Sequence, residues 1–522
     1  MTAVRPDANE APDVGEPWTR LESTYADALP ELVLAFQGDE VPDPEVAVLN
    51  ESLAAELGIP TDVLRTEAGA GILSGSLGIP GVETVALAYA GHQFGNYSPR
   101  LGDGRALLLG ESLDSAGQRF DLHLKGSGRT PFARGGDGKA TIGPMLREYV
   151  IAEAMHALGI PTTRALSVCT TGESIYRDRL EPGAVLARSA ASHIRVGTFE
   201  YAVRAGGDEL VRRLADYSIA RHHPDAAEQP DPYRAFLAAV VEAQAELIAR
   251  WMLVGFIHGV MNTDNMTISG ESIDYGPCAF MDRYDPDTVF SSIDHGGRYR
   301  FGNQPSVAVW NLSRLAETVL GLLSDDDEEA KEIATAELQK FSALFDAKWR
   351  AGMATKLGFE SAAALSGPSS GTAGDDPDAD GSLIDDLLVE MKETGLDWTS
   401  TFRSLADELR QADSQVLQVT TGVPLAEWQT RWIEALKAEA LRGADVSLND
   451  IADGMDAVNP LYIPRNHMVH EALEAANEGE LSGFSALLER VTQPFTEVGG
   501  AERFAEPAPD EFASIFRTFC GT

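Results

Sequence analysis

The sequence predicts an α+β fold in which a smaller, strand-rich half precedes a larger, helical half. Residues 101–125 contain two strand-like runs joined by a polar turn, which indicates a β-hairpin. Residues 232–259 instead carry apolar residues at helical spacing over a long stretch. The length of 522 residues suits two to four domains, and 44% hydrophobic with 23% charged content is typical of a globular protein.

Each element of the first half has its own local signal. Residues 106–109 and 120–125 are the two runs of the hairpin, and residues 114–118 are its turn. A helix is predicted over 142–158, because Gly159 and Pro161 then terminate the apolar periodicity. The remaining predictions for this half are short helices at 50–57 and 62–65, a glycine-rich stretch at 69–80, and strands at 165–169, 174–177 and 183–187.

The second half is predicted to be mainly helical. The helix over 232–259 leads into a polar run at 262–265 and then a short hairpin of 266–268 with 272–273. A helix with an acidic first turn begins near Asp325 and runs through Trp349, since carboxylates suit a helix N-terminus. Residues 366–382 are low in complexity and predict a flexible loop, after which helices fill the remainder.

The net charge of the chain argues against nucleic acids and anionic membranes as partners. Subtracting 81 acidic from 41 basic residues gives a formal net charge of −40, which repels nucleic acids and anionic membrane surfaces. No stretch approaches the roughly 20 apolar residues of a membrane span. The basic residues comprise 8 Lys and 33 Arg, and a Lys-poor, acidic surface suggests the hypothesis of a salt-loaded cytoplasm.

Cysteine usage and the N-terminus indicate a cytoplasmic location. The three cysteines, Cys169, Cys278 and Cys520, are too few and too scattered for a disulfide framework or a zinc site. A reducing compartment therefore fits best. The first 20 or so residues are rich in Asp, Glu and Pro without an apolar core, which predicts a disordered tail rather than a targeting segment.

Lys125 and Glu148 form the first candidate functional pair. Lys125 ends an alternating strand, and Glu148 lies within the following helix. A protein kinase uses such a strand lysine on the ATP phosphates and fixes it with a glutamate from the next helix. Taken alone, two such residues are more often ordinary surface residues.

The run from His258 to Asn265 is the stronger signal. It has the eight-residue frame of a kinase catalytic loop, in which a histidine begins the loop and an asparagine seven residues later binds a metal. Asp274 begins an Asp-Tyr-Gly motif nine residues after Asn265, as in the kinase metal site. Amide and carboxylate oxygens suit Mg²⁺, which bridges phosphate oxygens.

One position departs from the kinase pattern. The kinase base lies two residues after the loop histidine, and Val260, which cannot accept a proton, stands there. Asp264 is the nearest replacement as general base, although it could instead be a carboxylate that orients the loop. The site therefore allows a phosphotransferase with a relocated base, a different transfer reaction, or an inactive nucleotide-binding module.

A local excess of basic residues surrounds the candidate site. Residues 95–148 hold 8 basic and 6 acidic side chains, a local charge of +2 in a strongly acidic chain. Glycines in 101–105 and 135–138 allow backbone N–H groups to approach phosphate, and Arg188 and Arg195 can bind phosphate through two nitrogens each. This pattern predicts a polyphosphate ligand.

Six sequence blocks together resemble the selenoprotein O family of kinase-like protein adenylyltransferases. They span about residues 85–470, most of the chain. The blocks are YAGHQFG at 89–95, LGDGR at 101–105, LHLKGSGRTP at 122–131, HGVMNTDN at 258–265, IDYGP at 273–277 and NPLYIPRNH at 459–467.

The resemblance implies a fold and a reaction. The expected fold is α+β and bilobal, like a protein kinase, with a strand-rich N-lobe, a helical C-lobe, and helical extensions at both termini. ATP would lie in a flipped orientation, so that AMP is transferred to Ser, Thr or Tyr hydroxyls of protein substrates with Mg²⁺ or Mn²⁺. The expected units are a tail and extension (1–80), an N-lobe (81–200), a C-lobe with the metal site (201–350), the flexible loop (366–382) and a C-terminal helical region (383–522).

The resemblance also implies roles for individual residues. Asp264 would be the proton acceptor, Asn265 and Asp274 would hold the metal, and Glu148 would support Lys125. The residues implied to contact ATP are Gly102, Gly104, Arg105, Lys125, Asp137, Gly138, Arg188, Arg195 and Asp274. Relatives with a regulatory disulfide join a C-terminal cysteine, matched by Cys520, to a thiol in the loop after the metal aspartate. Here Cys278 lies only four residues past Asp274, and the stretch near Phe290, where the partner thiol is expected, has no cysteine. We therefore do not expect such a switch.

Overall fold

The computed structural model of the chain describes residue 18 and residues 20–362, 382–413, 425–440 and 447–519. The predicted N-terminal tail and flexible loop therefore lie almost wholly outside the described residues. The strands are β1 (Val33–Ala35), β2 (Glu45–Leu49), β3 (Val85–Leu87), β4 (Gly91–Gln93), β5 (Asn96–Ser98), β6 (Ala106–Leu113), β7 (Arg119–Lys125), β8 (Arg164–Tyr176), β9 (Leu180–Ala190), β10 (Phe256–Ile257) and β11 (Ala279–Phe280).

Within the described residues the main sheet has seven strands in the order β1-β3-β6-β7-β9-β8-β2, with antiparallel pairing throughout. The predicted hairpin is confirmed as β6 and β7, in which Ala106 pairs with Lys125. Both edge strands come from residues 33–49, within the range expected to form the N-terminal extension. In addition, β4 pairs with β5 and β10 pairs with β11 in two small ribbons.

Helices make up most of the remaining described chain. They are α1 (Thr24–Ala28), α2 (Glu51–Glu56), α3 (Thr61–Leu64), α4 (Glu67–Ser74), α5 (Ile142–Ala157), α6 (Val196–His222), α7 (Pro232–Leu253), α8 (Gln304–Leu323), α9 (Asp327–Leu338), α10 (Lys340–Lys356), α11 (Leu383–Thr394), α12 (Trp398–Asp413), α13 (Ala426–Ala440), α14 (Leu448–Asp456), α15 (Asn466–Asn477), α16 (Ser482–Val491) and α17 (Asp510–Ile515). None of the helices in the described ranges is long and apolar enough to cross a membrane.

The main sheet is covered on both faces, and strand alternation decides which residues face which helix. Leu186 of β9 packs in the core that contains α5, whereas its neighbour Val185 packs in the core that contains α4. Leu122 and Leu124 of β7 also belong to the α4 side. The intervening His123 and the final residue Lys125 are therefore directed to the α5 side, where the candidate site lies.

The helical half has a second core rich in tryptophan. Trp398, Trp428 and Trp432 are all at most 1% exposed and pack in one cluster with the end of α10. Burying an aromatic side chain of this size stabilises the fold by roughly 1.5–3 kcal/mol. The strand-rich first half and helical second half confirm the predicted α+β class.

Four local predictions were wrong in detail. The strands predicted at 165–169 and 174–177 form one continuous strand, β8. The helix predicted over 232–259 ends at Leu253, because Gly255 adopts a left-handed backbone with φ of 71°. The strand β10 then begins at Phe256. The helix predicted from Asp325 through Trp349 is two helices, α9 and α10, which meet at Gln339.

The short hairpin predicted from 266–268 and 272–273 is absent from the described chain. Thr267 instead bridges to Arg195, and Ser272 bridges to Thr162. Alternation in a short segment identifies an extended backbone, but it does not identify the pairing partner. In this case the partners come from distant parts of the chain.

Candidate functional site

Lys125 and Glu148 meet in the interior. Lys125 ends β7, Glu148 lies in the middle of α5, and the lysine Nζ donates a hydrogen bond to Glu148 Oε1. The two residues are only 8% and 4% exposed. A buried charge without a partner is costly, so each of these groups depends on the other. The structure thus brings the predicted lysine and glutamate together.

Asp274 lies at the centre of three cations. Lys125 Nζ donates to Asp274 Oδ1 at 2.7 Å, and Arg188 Nη1 donates to the same oxygen at 2.9 Å. Arg195 Nη2 lies 3.6 Å from Oδ2. Burial favours the neutral acid, but the charges of Lys125, Arg188 and Arg195 outweigh it and hold the pKa of Asp274 well below its ordinary value. Asp274 is therefore an ionised carboxylate, surrounded by side chains of a type that can bind phosphate.

A layer of histidines supports the two arginines. Arg188 Nε donates to His123 Nδ1 at 3.3 Å, and His123 Nε2 lies 3.0 Å from Asp103 Oδ2. Because Nδ1 accepts, the proton of the neutral ring must be on Nε2, where it is donated to Asp103. Burial lowers the pKa of His123, consistent with this neutral form. The ring of His193 stacks on His123 with centroids 4.1 Å apart, and its carbonyl accepts from Arg195.

Asp264 has very different surroundings. It lies in a single 3₁₀ turn, Thr263–Asn265, and its Oδ2 accepts a hydrogen bond from Gln93 Nε2 at 3.3 Å. Its Oδ1 is buried and has no hydrogen-bond partner among the described residues. Burial raises the pKa of Asp264 to about 6, although hydrogen bonds from its own backbone N–H and from Gln93 oppose the shift. A carboxylate with this pKa can accept a proton near neutral pH.

His258 and Asn265 are the first and last residues of the run that resembles a kinase catalytic loop. Asn265 Nδ2 donates to the carbonyl of Val260 at 3.0 Å, so its Oδ1 is the atom available to a ligand. His258 is fully buried, and its Nε2 lies 2.9 Å from the carbonyl of Ile273, directly before Asp274. The histidine thereby fixes the loop against the Asp-Tyr-Gly segment.

The glycines of the 101–105 loop are required for close packing. Gly102 has a φ of 73°, and a Cβ there would lie 2.4 Å from the ring of Phe132. A Cβ on Gly104 would lie 3.1 Å from the carbonyl of Phe132. The carbonyl of Arg105 accepts from the backbone N–H of Gly126, which follows Lys125. This loop is therefore fixed beside the lysine.

Asp137 and Gly138 lie on the second glycine-containing turn. Asp137 is exposed and forms an ion pair with Arg177 at 2.8 Å. Gly138 has a φ of 76°, and its carbonyl accepts from Gly128 at 3.1 Å. A Cβ on Gly138 would lie 2.2 Å from the backbone of Gly128 and Arg129. The turn thus packs against the segment after Lys125, whereas the Asp137 side chain is directed to Arg177.

The two cysteines within the described residues are buried and free. Burial raises the pKa of Cys169 to about 12 and that of Cys278 to about 11, so both thiols are protonated and unreactive. Cys278 Sγ contacts the carbonyl of Tyr275 at 3.1 Å. Cys520 lies outside the described residues.

Sequence reasoning did not assign roles to the residues that surround the predicted site residues. His123 and His193 support the arginines, and Gln93 contacts Asp264. Their signals were present, since His123 precedes Lys125 by two residues on one strand face and Gln93 lies in the quoted block 89–95. Neither the strand position of His123 nor the sequence block that contains Gln93 indicates which residue the side chain contacts.

Comparisons with known proteins agree on one family. The sequence model of the family described as "Protein adenylyltransferase SelO" matches residues 19–492. A protein nucleotidyltransferase YdiU of Rhodococcus jostii is 56% identical over 507 residues, covering 96% of this chain and 94% of the relative. Proteins of the same name from Mycolicibacterium smegmatis and Cereibacter sphaeroides are 54% and 53% identical, each over 96% of this chain and 98% and 99% of the relative.

Proposed function

Since the chain belongs to the family of protein adenylyltransferase SelO, we propose that it transfers AMP from ATP to Ser, Thr or Tyr hydroxyls of other proteins. It is an enzyme of the nucleotidyltransferase class, with ATP as its substrate. The observation that carries the site assignment is the convergence of Lys125, Arg188 and Arg195 on Asp274. Three cations at one buried carboxylate suit a polyphosphate.

The two carboxylates differ in a way that assigns their roles. Asp274 stays ionised among cations, whereas the pKa of Asp264 is raised to about 6 by burial. Opposite shifts of neighbouring acids are typical of sites in which one group binds charge and the other moves a proton. Asp264 is therefore the proposed proton acceptor, and Asp274 the proposed ligand for nucleotide and metal.

ATP in a flipped orientation accounts for this arrangement. The terminal phosphates would lie against Lys125, Arg188 and Arg195, and the α-phosphate would face the acceptor. The acceptor oxygen forms a bond to the α-phosphorus, and the bond from that phosphorus to the bridging oxygen breaks. Diphosphate leaves with the bonding electrons, and Asp264 accepts the hydroxyl proton. The three cations stabilise the charge that develops on diphosphate.

Asn265 and Asp274 fit a divalent cation. Asn265 presents Oδ1 because its Nδ2 is bound to Val260, and Asp274 provides an ionised carboxylate. No group of three or more His, Cys, Asp or Glu side chains in the described ranges could hold a metal by itself. Phosphate oxygens and water would therefore complete the coordination of Mg²⁺ or Mn²⁺. When bound, such an ion supplies positive charge to the phosphates.

The site also supports a kinase-like bilobal arrangement. Lys125 on a strand pairs with Glu148 on the next helix, and His258 fixes the loop to the residue before Asp274. In this assignment Gly102, Gly104, Arg105, Asp137 and Gly138 line the nucleotide from the loops beside Lys125. The proposed location is cytoplasmic, and neither nucleic acid nor membrane is a proposed partner, because the net charge is −40.

Isotope labelling tests the proposal directly. The purified protein and a host lysate are incubated with Mg²⁺ or Mn²⁺ and ATP labelled on either the α- or the γ-phosphate. Label on protein from α alone is the expected result, with Asp274→Ala as the inactive control. Label from γ alone would instead indicate a phosphotransferase, and bound ATP without transfer would indicate an inactive binding module.

A further inference from the structure

A short hairpin contacts the proposed catalytic loop. It consists of β4, the turn Phe94-Gly95, and β5, and we call residues 91–98 the base hairpin. We infer that Gln93 of the base hairpin is a positioning residue, which holds the Asp264 carboxylate in its place within the proposed catalytic loop. The inference rests on the proposed function, because it assigns Asp264 as the proton acceptor.

Three consecutive hairpin residues bind three consecutive loop residues. The backbone N–H of His92 donates to Thr263 Oγ1 at 2.7 Å, and that of Phe94 donates to Asn262 Oδ1 at 3.0 Å. Between them, Gln93 donates its side-chain amide to Asp264 Oδ2 at 3.3 Å. The two backbone bonds fix the register, so the Gln93 side chain is held beside the carboxylate rather than reaching it by chance.

Close packing leaves Asp264 little freedom to turn away. A Cβ on Gly91 would lie 2.5 Å from Asp264 Oδ1 and 2.9 Å from Leu101. A Cβ on Gly197, at the start of α6, would lie 3.3 Å from Asp264 Cα and 2.2 Å from the carbonyl of Ala90. Glycine at both positions allows the hairpin and α6 to approach the base this closely.

The hairpin turn has an unusual backbone conformation. Phe94 has a φ of 50°, in the left-handed region that a bulky residue rarely adopts. Its N–H is bound by Asn262, which also accepts from Tyr299, and its ring lies 5.0 Å from that of Tyr299. Such strain persists where the surroundings determine the conformation, and it concentrates at functional sites.

A second network connects the hairpin to the phosphate-binding side. Glu200 on α6 accepts from Thr263 Oγ1 at 2.6 Å and contacts His92 Nδ1. Helix α6 begins directly after Arg195, one of the three cations around Asp274. The loop that carries the proposed base and the proposed phosphate-binding Arg195 are thereby both anchored to the first turns of α6, which restricts the distance between the acceptor and phosphate sites.

A neutral hydrogen-bond donor suits position 93 better than a cation does. A lysine or arginine in place of Gln93 would form an ion pair with Asp264 and make it a weaker base. An amide occupies one carboxylate oxygen without adding charge.

The test is steady-state transfer of α-labelled AMP by Gln93→Met, which keeps the side-chain length and removes the donor. The expected result is a fall in kcat of about tenfold or more, with the dissociation constant of ATP unchanged within about twofold. Gln93→Glu, which places a second carboxylate beside Asp264, should lower kcat at least as far. Gln229→Met is the matched control, since Gln229 is exposed and donates only to a backbone carbonyl.

The outcomes separate this inference from the proposed function. Absence of α-label transfer by the unmodified enzyme would refute the proposed function, and with it the role given to Asp264. Transfer by the unmodified enzyme with kcat of both Gln93 variants within twofold of it would refute the inference alone. A parallel loss of ATP affinity, or a lower unfolding temperature without a change in kcat, would also overturn it, because Gln93 would then be a nucleotide-binding or structural residue.

Discussion

Lys125 in the strand-rich half and Lys356 in the helical half are both buried, at 8% and 5% exposure, but their surroundings are opposite. Lys125 donates to two carboxylates, Glu148 and Asp274. Lys356 donates to the neutral amide oxygen of Asn459 at 2.8 Å, and its Nζ lies 4.3 Å from the centre of the Phe402 ring. Burial lowers the pKa of Lys356 to about 7.

The two lysines differ in whether a carboxylate compensates the cost of burying them. Two carboxylates lie within ion-pair distance of Lys125, which is a proposed phosphate-binding residue. Lys356 has no carboxylate partner within the described residues, so its burial favours the neutral amine. Changes near Lys125 should therefore alter catalysis, and a change at Lys356 should alter the pH dependence of stability.

The largest effect is expected for Asp274→Ala. The variant loses the carboxylate on which three cations converge, together with a proposed metal ligand. Turnover of α-labelled ATP should fall at least about a hundredfold, and the response to added Mn²⁺ or Mg²⁺ should disappear. Circular dichroism should show a retained fold. Undiminished turnover would refute the assignment of the charged region as the active site.

Asp264→Ala should slow transfer without abolishing ATP binding. Loss of a general base typically costs 10²–10⁴-fold in rate, roughly the range expected here for kcat. Calorimetric titration with ATP and metal should give a dissociation constant close to that of the unmodified enzyme. Loss of ATP binding would instead indicate that Asp264 is a structural residue. The proposed division of roles, with Asp264 as proton acceptor and Asp274 as ligand for nucleotide and metal, would then be wrong.

A smaller effect is expected for His123→Phe. The variant keeps a ring but removes the Nδ1 acceptor of Arg188 and the partner of Asp103. We expect the KM for ATP to rise about tenfold, with a smaller change in kcat, because Arg188, a proposed phosphate-binding side chain, loses its orientation. His156→Phe, at the end of α5, is the control. An unchanged KM would show that Arg188 is oriented without the histidine.

The smallest effect on activity is expected for Lys356→Met, which should leave kcat unchanged. Its effect is on stability. The folded pKa of about 7 lies below the ordinary 10.5, so between these pH values the unfolded chain binds more protons. The free energy of unfolding should therefore rise with pH above 7, by up to about 1.4 kcal/mol per pH unit, and Lys356→Met should remove this rise.

Urea unfolding at pH 7, 8 and 9 measures how steeply the free energy of unfolding rises with pH, in the unmodified protein and in Lys356→Met. Lys348→Met is the matched control, because Lys348 lies on the same helix with its side chain 43% exposed and paired with Glu246. Equal slopes in the unmodified protein and Lys356→Met would mean that Lys356 stays charged. The contrast with Lys125 would then be lost.

Secondary-structure elements that depend on local sequence patterns could be predicted from the sequence. The β6–β7 hairpin and helix α5 follow from alternation and helical spacing, and motif order was enough to predict that Lys125 and Glu148 form a pair. The roles of the site residues remain predictions. The partners of extended segments could not be predicted, as the wrong hairpin at 266–273 shows, because pairing depends on residues far away in the chain. For the same reason, the contacts of Gln93, His123 and Lys356 could not be predicted from the sequence.

The order of strands in the main sheet also determines the order in which the chain can fold. Both edge strands come from residues 33–49, and their partners follow much later, as the pairing of Val46 with Cys169 shows. Contacts between residues so distant in sequence close long loops and form slowly. Helix α5 and the β6–β7 hairpin can form early from local contacts, whereas β2 stays unpaired until β8 has been synthesised and docked. We therefore expect assembly of the sheet edges, rather than formation of the helices, to be the slow step in folding of the strand-rich half.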